Sequence, residues 1–413
     1  MLRPGHLLMA SVAALLGLGV IMVHSAGLAP DAGDPAVAWQ ITAGQHPSPE
    51  SMGGILPDRQ MWAMFADKTT LFALLALGAM VLASRINVRG LMTVRGMANP
   101  LIWATGGAMV LCLAVYVPGF GKSVLGARRW LNFGVCTIQP SELLKWILIP
   151  AIAWWCARRS AVMHRWKDGF GPALVIMAVA CAVVLLQKDL GTAAIMGAAV
   201  LAILHVGGMR LWQLGTMAGV CLVAVAGLVL MEPYRVKRFV VFLDPFSDPQ
   251  GTGFHPIQSM LAFARGGLVG RGLGGSIQKY FLPEQTSDFI FPVLAEELGF
   301  VGSLLVVVLF LSILWCGVSI ARKSRDPFAR LLVFGSVFTL VAQACMNLAV
   351  VTVMMPTKGI ALPFISNGGT GWVVTAFALG LVAAVDHDNH LRETARESAA
   401  EPVKEPAEER TQA

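Results

Sequence analysis

Uninterrupted apolar segments recur along the chain, and they constrain its fold more than any other feature of the sequence. A helix needs about 20 mainly apolar residues to cross a hydrocarbon core roughly 30 Å thick. The run at 173–186, ALVIMAVACAVVLL, belongs to one such segment and lacks the alternation typical of a membrane strand. Because 56% of the residues are hydrophobic and only 13% are charged, lipid is a more suitable solvent for this chain than water.

The sequence therefore predicts an all-α polytopic membrane protein with about ten transmembrane helices. Their predicted ranges are 7–28, 69–84, 101–118, 141–157, 172–187, 190–206, 214–232, 291–320, 331–355 and 369–386. The first segment has an alternative interpretation as a cleaved secretory signal, because Arg3 precedes the apolar run and Ser25, Ala26 and Gly27 follow it. Keeping this segment gives an even number of helices, which places both termini on the same side.

Basic residues in the short loops orient the predicted helices, since such residues concentrate on the cytoplasmic side. With residue 1 inside, the internal loops contain Arg85, Arg89, Arg95, Arg158, Arg159, Arg165, Lys167, Arg210, Arg322, Lys323, Arg325 and Arg330. We therefore expect both termini in the cytoplasm. The chain then divides into a first transmembrane helix (1–28), an extracytoplasmic insertion (29–68), a membrane domain (69–386) and a polar tail (387–413) that is expected to be disordered.

Two predicted external loops carry cations against this bias. One is 119–140, and the other is the large extracytoplasmic loop 233–290 between helices 7 and 8. Their basic residues are Lys122, Arg128, Arg129, Arg235, Lys237, Arg238, Arg265, Arg271 and Lys279. Arginine forks and lysine ammonium groups are suited to a phosphate or pyrophosphate ligand. The alternative is contact with anionic lipid headgroups.

The larger loop contains a glycine-rich stretch at 265–276, RGGLVGRGLGGS, and then a carboxylate at its end. The glycines allow the backbone to turn tightly or to approach a ligand closely. The sequence contains no GxxxxGK[ST] motif, so nothing in it indicates nucleotide hydrolysis. Asp288 lies where this loop must become a membrane helix, with Glu296 and Glu297 two turns further on. Carboxylates at such a position are costly to desolvate and are functional candidates.

Four ordered motifs resemble the SEDS family, which includes FtsW, RodA and SpoVE. They are GARRWLNFG (126–134) with QPSELLK (139–145), KDLGTA (188–193), the long segment 234–302, and MPTKGIALPFISNGGTGW (355–372). Within the family, GARRW, QSMLAFARGG and GLGGSIQK are more similar to the FtsW and SpoVE branch than to RodA.

This resemblance implies a peptidoglycan glycosyltransferase that polymerises lipid II at the outer face of the bacterial cytoplasmic membrane during cell division. Its implied partners are a class B penicillin-binding protein and other divisome proteins, and no nucleic acid is expected. Two alternatives stay open: a lipid II flippase, and a non-catalytic scaffold for the penicillin-binding protein. Transport should depend on charges deep in the membrane, whereas here the unusual charges cluster at one predicted face.

The resemblance also assigns candidate site residues. Asp288 aligns with the proposed catalytic aspartate of the family, which implies a general base; the alternative is a helix-capping residue. The substrate-binding candidates are Arg128 and Arg129 for pyrophosphate, Trp130 for a sugar or isoprenoid unit, Glu142, Lys145, Gln258 and Ser259 along the groove, Lys279 for the same anion, and Ser366 in a turn that shapes the cavity floor. A magnesium or manganese ion that bridges Asp288 and the pyrophosphate is compatible with these oxygen ligands, and no organic cofactor is expected.

Four positions depart from the pattern of the family. Thr286 and Ser287 stand where His-Thr is usual before the aspartate, Lys188 replaces a proline, and Asn367 replaces a tyrosine. We expect these changes to alter the pKa of neighbouring groups and the geometry of the loops.

Overall fold

The computed structural model describes residues 3–27, 67–88, 90, 94, 96–124, 127–134, 137–282 and 285–400, and most of these residues are helical. The helices are α1 (Pro4–Gly27), α2 (Lys68–Ala83), α3 (Pro100–Ala114), α4 (Pro140–Arg158), α5 (Gly171–Leu186), α6 (Leu190–Val206), α7 (Leu211–Leu230), α8 (Pro233–Leu243), α9 (Phe254–Gly266), α10 (Ile290–Lys323), α11 (Pro327–Val351) and α12 (Thr370–Ala400). A small sheet contains β1 (Gly121–Val124), β2 (Ala127–Asn132) and β3 (Thr137–Ile138).

Each of the ten predicted apolar segments overlaps one of the helices α1–α7 and α10–α12. Among the described residues, six helices are long and apolar enough to cross a membrane, namely α1, α5 with its preceding turn, α7, α10, α11 and α12. Helices α2, α3 and α6 are apolar but shorter. The all-α membrane class is thus confirmed, while the number of ten crossings stays a prediction. The predicted loop 233–290 contains two further helices, α8 and α9.

The predicted loop 119–140 folds into the small sheet rather than an irregular connection. Strand β1 pairs antiparallel with β2, and β2 pairs antiparallel with β3. The register shifts between Lys122 and Ser123, so an irregularity interrupts the first pairing. The sheet places Arg128, Arg129 and Trp130 on strand β2, directly before α4 begins.

Helices α1 and α10 pack side by side in opposite directions and define the two ends of the bundle. Ser11 contacts Ser312 at 3.1 Å between hydroxyl oxygens, and the Ser25 hydroxyl donates to Glu297 near the other end of α1. We call the end where α1 finishes and α10 begins the Asp288 end. The opposite end, where α1 begins and α10 finishes, is the Arg3 end.

The structure differs from the prediction at the end of the chain. Helix α12 continues to Ala400, so residues 387–400 are helical rather than disordered, while 401–413 lie outside the described residues. An ion pair between Arg392 and Asp388, 3.6 Å apart and one turn from each other, supports this polar extension. Most of the predicted insertion 29–68 also lies outside the described residues, which resume at Asp67, the N-cap of α2.

Candidate active site

Asp288 lies half-buried just before α10. The helix begins at Ile290, and its N-cap residue is Phe289. Gly359, in the loop between α11 and α12, packs against the Asp288 carboxylate. A Cβ at Gly359 would lie 2.9 Å from Asp288 Oδ2, so a larger residue here would displace the carboxylate or the loop.

The turn before α12 holds the backbone that carries Asp288. The Ser366 hydroxyl donates to the Ser287 carbonyl at 2.6 Å and accepts from the Leu362 amide at 2.7 Å. The Asn367 backbone amide donates to the Thr286 carbonyl at 2.8 Å. Ser366 is buried, so its two hydrogen bonds are protected from water. Ser366 therefore positions the segment before the carboxylate.

A buried asparagine of α11 connects the segment that carries Asp288 to the loop between α11 and α12. The Asn347 side-chain amide donates to the Asp288 carbonyl at 3.0 Å and to the Ile360 carbonyl at 2.7 Å. The sequence interpretation missed Asn347 and its neighbour Gln343. A signal was present, because these two polar residues lie four apart, on one face of an otherwise apolar helix. Polar residues within a membrane helix are functional candidates by default.

Glu142 and Lys145 form the predicted pair across one turn of α4, with 2.6 Å between Lys145 Nζ and Glu142 Oε2. Lys145 is 2% exposed and also donates to the Gln343 side chain at 2.7 Å. Gln343 in turn donates to the Ala361 carbonyl at 2.9 Å, in the loop that packs against Asp288. The pair therefore connects α4 to the loop of the candidate site.

Arg129 binds the end of the α5–α6 connection. Its Nε donates to the Gln187 carbonyl at 3.1 Å and its Nη2 to the Lys188 carbonyl at 2.8 Å. Lys188 has a φ of +60°, which a proline ring, fixed near −65°, does not adopt. A proline would not fit the backbone that this chain adopts here. A Cβ at Gly191 would lie 2.8 Å from the Ile360 side chain, so α6 packs directly on the loop beside Asp288.

Arg128 and Trp130 lie on the same strand as Arg129. Arg128 is exposed and lies opposite Ser123, and Trp130 is half-buried and lies opposite Lys122. Within the described residues, the Arg128 guanidinium donates no hydrogen bond and has no ion pair. Its charge is therefore not neutralised by the part of the chain that the structure describes.

Gln258 and Ser259 lie on α9, which packs beside the start of α10. The fully buried Ser259 hydroxyl donates to the Val351 carbonyl at the end of α11, and Gln258 is half-buried. His255, one turn earlier, stacks on Phe289, with ring centroids 5.3 Å apart and planes 19° apart. Helix α9 therefore reaches the residue next to Asp288, and Ser259 anchors that helix.

Lys279 lies elsewhere, in a cluster of buried polar side chains. Its ammonium donates to the Ser25 carbonyl at 3.2 Å and the Gly274 carbonyl at 2.9 Å, and it lies 3.9 Å from Glu297 Oε1. Burial lowers the pKa of Lys279, and the charges of Glu297 and Glu296 partly oppose this effect. The structure does not bring Lys279 together with the contacts around Asp288, and its side chain is 2% exposed.

The two glutamates of α10 complete this group, which we call the Lys279 cluster (Ser25, Ser276, Lys279, Glu296 and Glu297). Ser25 donates to Glu297 Oε2, and Ser276 donates to Glu296 Oε2, both at 2.6 Å. The Gln278 backbone amide also donates to Glu296 Oε2, at 3.0 Å. These contacts explain how two adjacent carboxylates are accommodated in the interior of the bundle.

The glycine-rich stretch (265–276) packs against the backbone of α10. Helix α10 is broken at Gly299, and the Gly272 amide donates to the Glu297 carbonyl while the Phe300 amide donates to the Gly267 carbonyl, both at 2.9 Å. A Cβ at Gly270 would lie 2.2 Å from the Glu297 carbonyl oxygen. The close approach that the glycines predicted is therefore an approach to the break in α10.

Lys358 is a further residue that sequence reasoning missed. It precedes Gly359, so its Cα lies about 3.8 Å from that of the glycine that contacts the Asp288 carboxylate. Burial lowers the pKa of Lys358. Within the described residues its ammonium donates no hydrogen bond and has no ion pair. The MPTKG motif contained this lysine, but nothing in the sequence indicated that its loop meets Asp288.

The candidate metal position is the Asp288 carboxylate. The described residues contain no group of three or more His, Cys, Asp or Glu side chains that could hold a metal ion. Magnesium is commonly bound by one or two carboxylates together with substrate phosphates and water. One carboxylate beside a pyrophosphate is therefore a suitable donor set, provided that the substrate supplies the other oxygens.

Comparison with known proteins assigns the chain to a family. The sequence model of FtsW, RodA and SpoVE, described as "Cell cycle protein", matches residues 55–391. The chain belongs to the FtsW, RodA and SpoVE family. It is 40% identical over 322 residues to a protein of Geobacter metallireducens named "Probable peptidoglycan glycosyltransferase FtsW", covering 78% of this chain and 84% of the relative. A protein of Thioalkalivibrio sp. with the same name is 36% identical over 382 residues, covering 92% and 88%.

Solved structures agree with this membership. The fold is similar to a chain in a structure described as "Structural coordination of polymerization and crosslinking by a peptidoglycan synthase complex", with a TM-score of 0.69, 27% identity and coverage of 93% and 97%. It is also similar to the rod shape determining protein RodA of Thermus thermophilus, with a TM-score of 0.62, 26% identity and coverage of 93% and 96%. The family that the sequence motifs indicated is thus confirmed.

Proposed function

We propose that this protein is a peptidoglycan glycosyltransferase that polymerises lipid II during cell division. The names of its FtsW relatives and its similarity to a peptidoglycan synthase complex support the reaction class. The observation that carries the assignment to a site is the position of Asp288, whose segment is held by Ser366 and Asn347 and whose carboxylate meets the loop that contains Lys358.

In the proposed reaction, the 4-hydroxyl of one lipid II sugar attacks the anomeric carbon of the growing chain. A new carbon–oxygen bond forms, and the bond between that carbon and the undecaprenyl pyrophosphate breaks, with the electron pair leaving on the pyrophosphate. Asp288 accepts the proton of the attacking hydroxyl as the general base. A base positioned in this way contributes about 10²- to 10⁴-fold to the rate.

The departing pyrophosphate requires positive charge, and two side chains are available to supply it. Lys358 precedes the glycine that meets the Asp288 carboxylate, and Arg128 lies on the strand before α4; within the described residues neither side chain donates a hydrogen bond. Arg129 is a positioning residue in this proposal, because its guanidinium binds the carbonyls of Gln187 and Lys188. Lys279 is not included, since its ammonium is enclosed by the Lys279 cluster.

A magnesium or manganese ion would be held by Asp288 and by oxygens of the pyrophosphate. When bound, it would stabilise the negative charge that develops on the leaving group. Trp130 would cover a sugar or isoprenoid unit, while Gln258 would line the groove beside the segment that carries Asp288. Glu142 and Lys145 would keep α4 in register with the loop between α11 and α12.

The proposal includes the location of the reaction. Both termini would lie in the cytoplasm, so the Asp288 end would face the outer side of the bacterial cytoplasmic membrane. This orientation follows from the basic residues that the sequence places at the other end. A class B penicillin-binding protein would crosslink the product, and other divisome proteins would assemble with the pair.

The test compares wild type with Asp288→Asn in nanodiscs, with labelled lipid II, a class B penicillin-binding protein and magnesium or manganese. We expect glycan strands from wild type and a rate at least about 100-fold lower from the variant, because an amide does not accept the proton. Asp388→Asn, a change at a partly exposed residue near the opposite end, is the matched control and should polymerise like wild type.

Equal polymerisation by Asp288→Asn would show that the base has been assigned wrongly. If wild type makes no glycan but moves labelled lipid II across liposomes, the protein is a transporter instead. If it does neither, yet increases crosslinking by the penicillin-binding protein, the scaffold alternative is correct.

A further inference from the structure

A cavity of about 370 Å³ opens at the Arg3 end, far from the candidate active site. It lies between α1, α2 and α12, which pack against one another. Its polar lining consists of Arg3, His6, Ser84, Arg85, Asp386 and His387. Its volume falls within the range of ligand pockets, roughly 300–1,000 Å³. None of these residues takes part in the proposed polymerisation.

The floor of the cavity is closed by a contact between α1 and α12. The buried Asp386 carboxylate accepts a hydrogen bond from the Gly5 amide at 3.1 Å. A Cβ at Gly5 would lie 2.8 Å from Asp386 Oδ2, so the two helices meet closely here. The negative charge of Asp386 thus lies against the first turn of α1, where an acidic group is favourable.

The walls of the cavity carry two arginines that make no direct ion pair with the described residues, while the Asp386 carboxylate in the same lining accepts from the Gly5 amide. Within the described part of the chain, neither the Arg3 nor the Arg85 guanidinium donates a hydrogen bond or forms an ion pair. A guanidinium presents several donors in a planar fork, which matches the oxygens of a phosphate. Two such forks around one cavity indicate an anionic ligand with several acceptor oxygens, and the exposed His6 and His387 are further donors.

The cavity adjoins an apolar surface that faces outward on α2. Val81 lines the cavity and is 51% exposed, and Leu82, the next residue, is 68% exposed. Leu74 and Leu75, two turns earlier along the same helix, are also exposed. A ligand with a phosphate in the cavity and a hydrocarbon chain along α2 would satisfy both surfaces.

We propose that this cavity binds the phosphate headgroup of an anionic phospholipid from the leaflet that meets the Arg3 end. Arg3 and Arg85 hold the phosphate, and the acyl chains lie along the exposed face of α2. Binding at this position joins α1, α2 and α12. General attraction of anionic lipid would involve every exposed cation at this end, including Arg322 and Lys323. The proposed site involves only the cations that line the cavity, and Arg322 and Lys323 do not.

The test uses the full-length protein purified in detergent and measures retained lipid by native mass spectrometry. Short-chain phosphatidylglycerol is titrated into wild type, the Arg3→Gln/Arg85→Gln variant and the matched control Arg322→Gln/Lys323→Gln. Loss of charge-assisted hydrogen bonds should weaken the apparent affinity about tenfold or more in the first variant. The control should bind like wild type, and phosphatidylcholine should bind weakly to all three.

A second variant and a second ligand make the result interpretable. Arg3→Lys/Arg85→Lys keeps both charges but not the forks, so it should retain part of the affinity even if removal of the charges disturbs folding. Inorganic phosphate that competes fully with the lipid would identify a free-anion site of the same chemistry, and weak competition would identify a lipid site. Equal affinity of wild type and Arg3→Gln/Arg85→Gln, or an equal loss in the control variant, would overturn the proposal.

Discussion

Two groups of polar residues flank the first segment of α10, and each contains a lysine. In the Lys279 cluster, the ammonium donates to two carbonyls and faces Glu297, and both glutamates accept hydrogen bonds from serines. In the loop that meets Asp288, the half-buried Lys358 has an ammonium that donates no hydrogen bond within the described residues, and burial lowers its pKa. The buried Lys279 makes its hydrogen bonds inside the protein and holds structure together, whereas the half-buried Lys358 has donors left for a ligand.

The hydrogen bonds described for the two groups reach different atoms. In the Lys279 cluster, hydrogen bonds go to the carboxylate oxygens of Glu296 and Glu297 themselves. Around Asp288, the bonds from Asn347 and from the turn before α12 go to backbone carbonyls of 286–288. This arrangement fixes the position of the segment through its backbone, as a reacting carboxylate requires.

Lys279→Met should have the largest effect on stability, because it leaves Glu297 buried without its cation. Removal of one partner from a buried ion pair costs about 3–5 kcal/mol of the free energy of unfolding. Reversible unfolding of the protein in mixed micelles measures this loss. Lys358→Met is the matched control and should change the free energy of unfolding by less than about 1 kcal/mol. Equal losses in both variants would remove the distinction between the two lysines.

Of the four variants at Lys279, Lys358 and Ser366, Lys358→Met should lower the rate of polymerisation most. Removal of one group that stabilises developing negative charge lowers the rate about 100-fold or more. Polymerisation of labelled lipid II at a temperature where both variants are folded measures the effect. Under these conditions Lys279→Met should polymerise like wild type per folded molecule. A normal rate for Lys358→Met would show that Lys358 does not contact the leaving group.

Lys358→Arg should change the pH dependence of the reaction. Burial lowers the pKa of Lys358 below its usual 10.5, so its ammonium is present below that lowered pKa and is lost as the pH rises through it. The rate of wild type should therefore fall on the alkaline side. Arginine stays protonated, so the alkaline fall should move to higher pH in the variant. Identical profiles of rate against pH in the two proteins would contradict this role.

Ser366→Ala should have the smallest overall effect of the four variants. The change removes one hydrogen bond to the Ser287 carbonyl and leaves the Leu362 amide without its acceptor, a cost of about 1–3 kcal/mol. Because the backbone of Asp288 would be less well fixed, kcat should fall about tenfold while KM for lipid II stays nearly constant. A rise in KM with unchanged kcat would instead indicate that Ser366 binds substrate directly.

The sequence predicted the helices well because an apolar segment is a local property. All ten predicted segments overlap helices, and the Glu142–Lys145 pair, three residues apart, is also present. Contacts between distant segments were not predictable in the same way. Lys279 donates to Ser25, which lies 254 residues away, and no local pattern indicated that these two residues meet. The family resemblance placed Asp288 and Ser366 in the same site, but not Asn347 or Lys358.

The break at Gly299 divides α10 into a short first piece and a long second one. The short piece begins directly after Asp288 and contains Glu296 and Glu297, which are bonded to the glycine-rich stretch and to α1. A tilt of this piece about Gly299 would therefore shift the carboxylate and strain the bonds of the Lys279 cluster at the same time. Any protein that pushes on the loop after α9 thus has a mechanical route to the reacting group through only nine residues of helix.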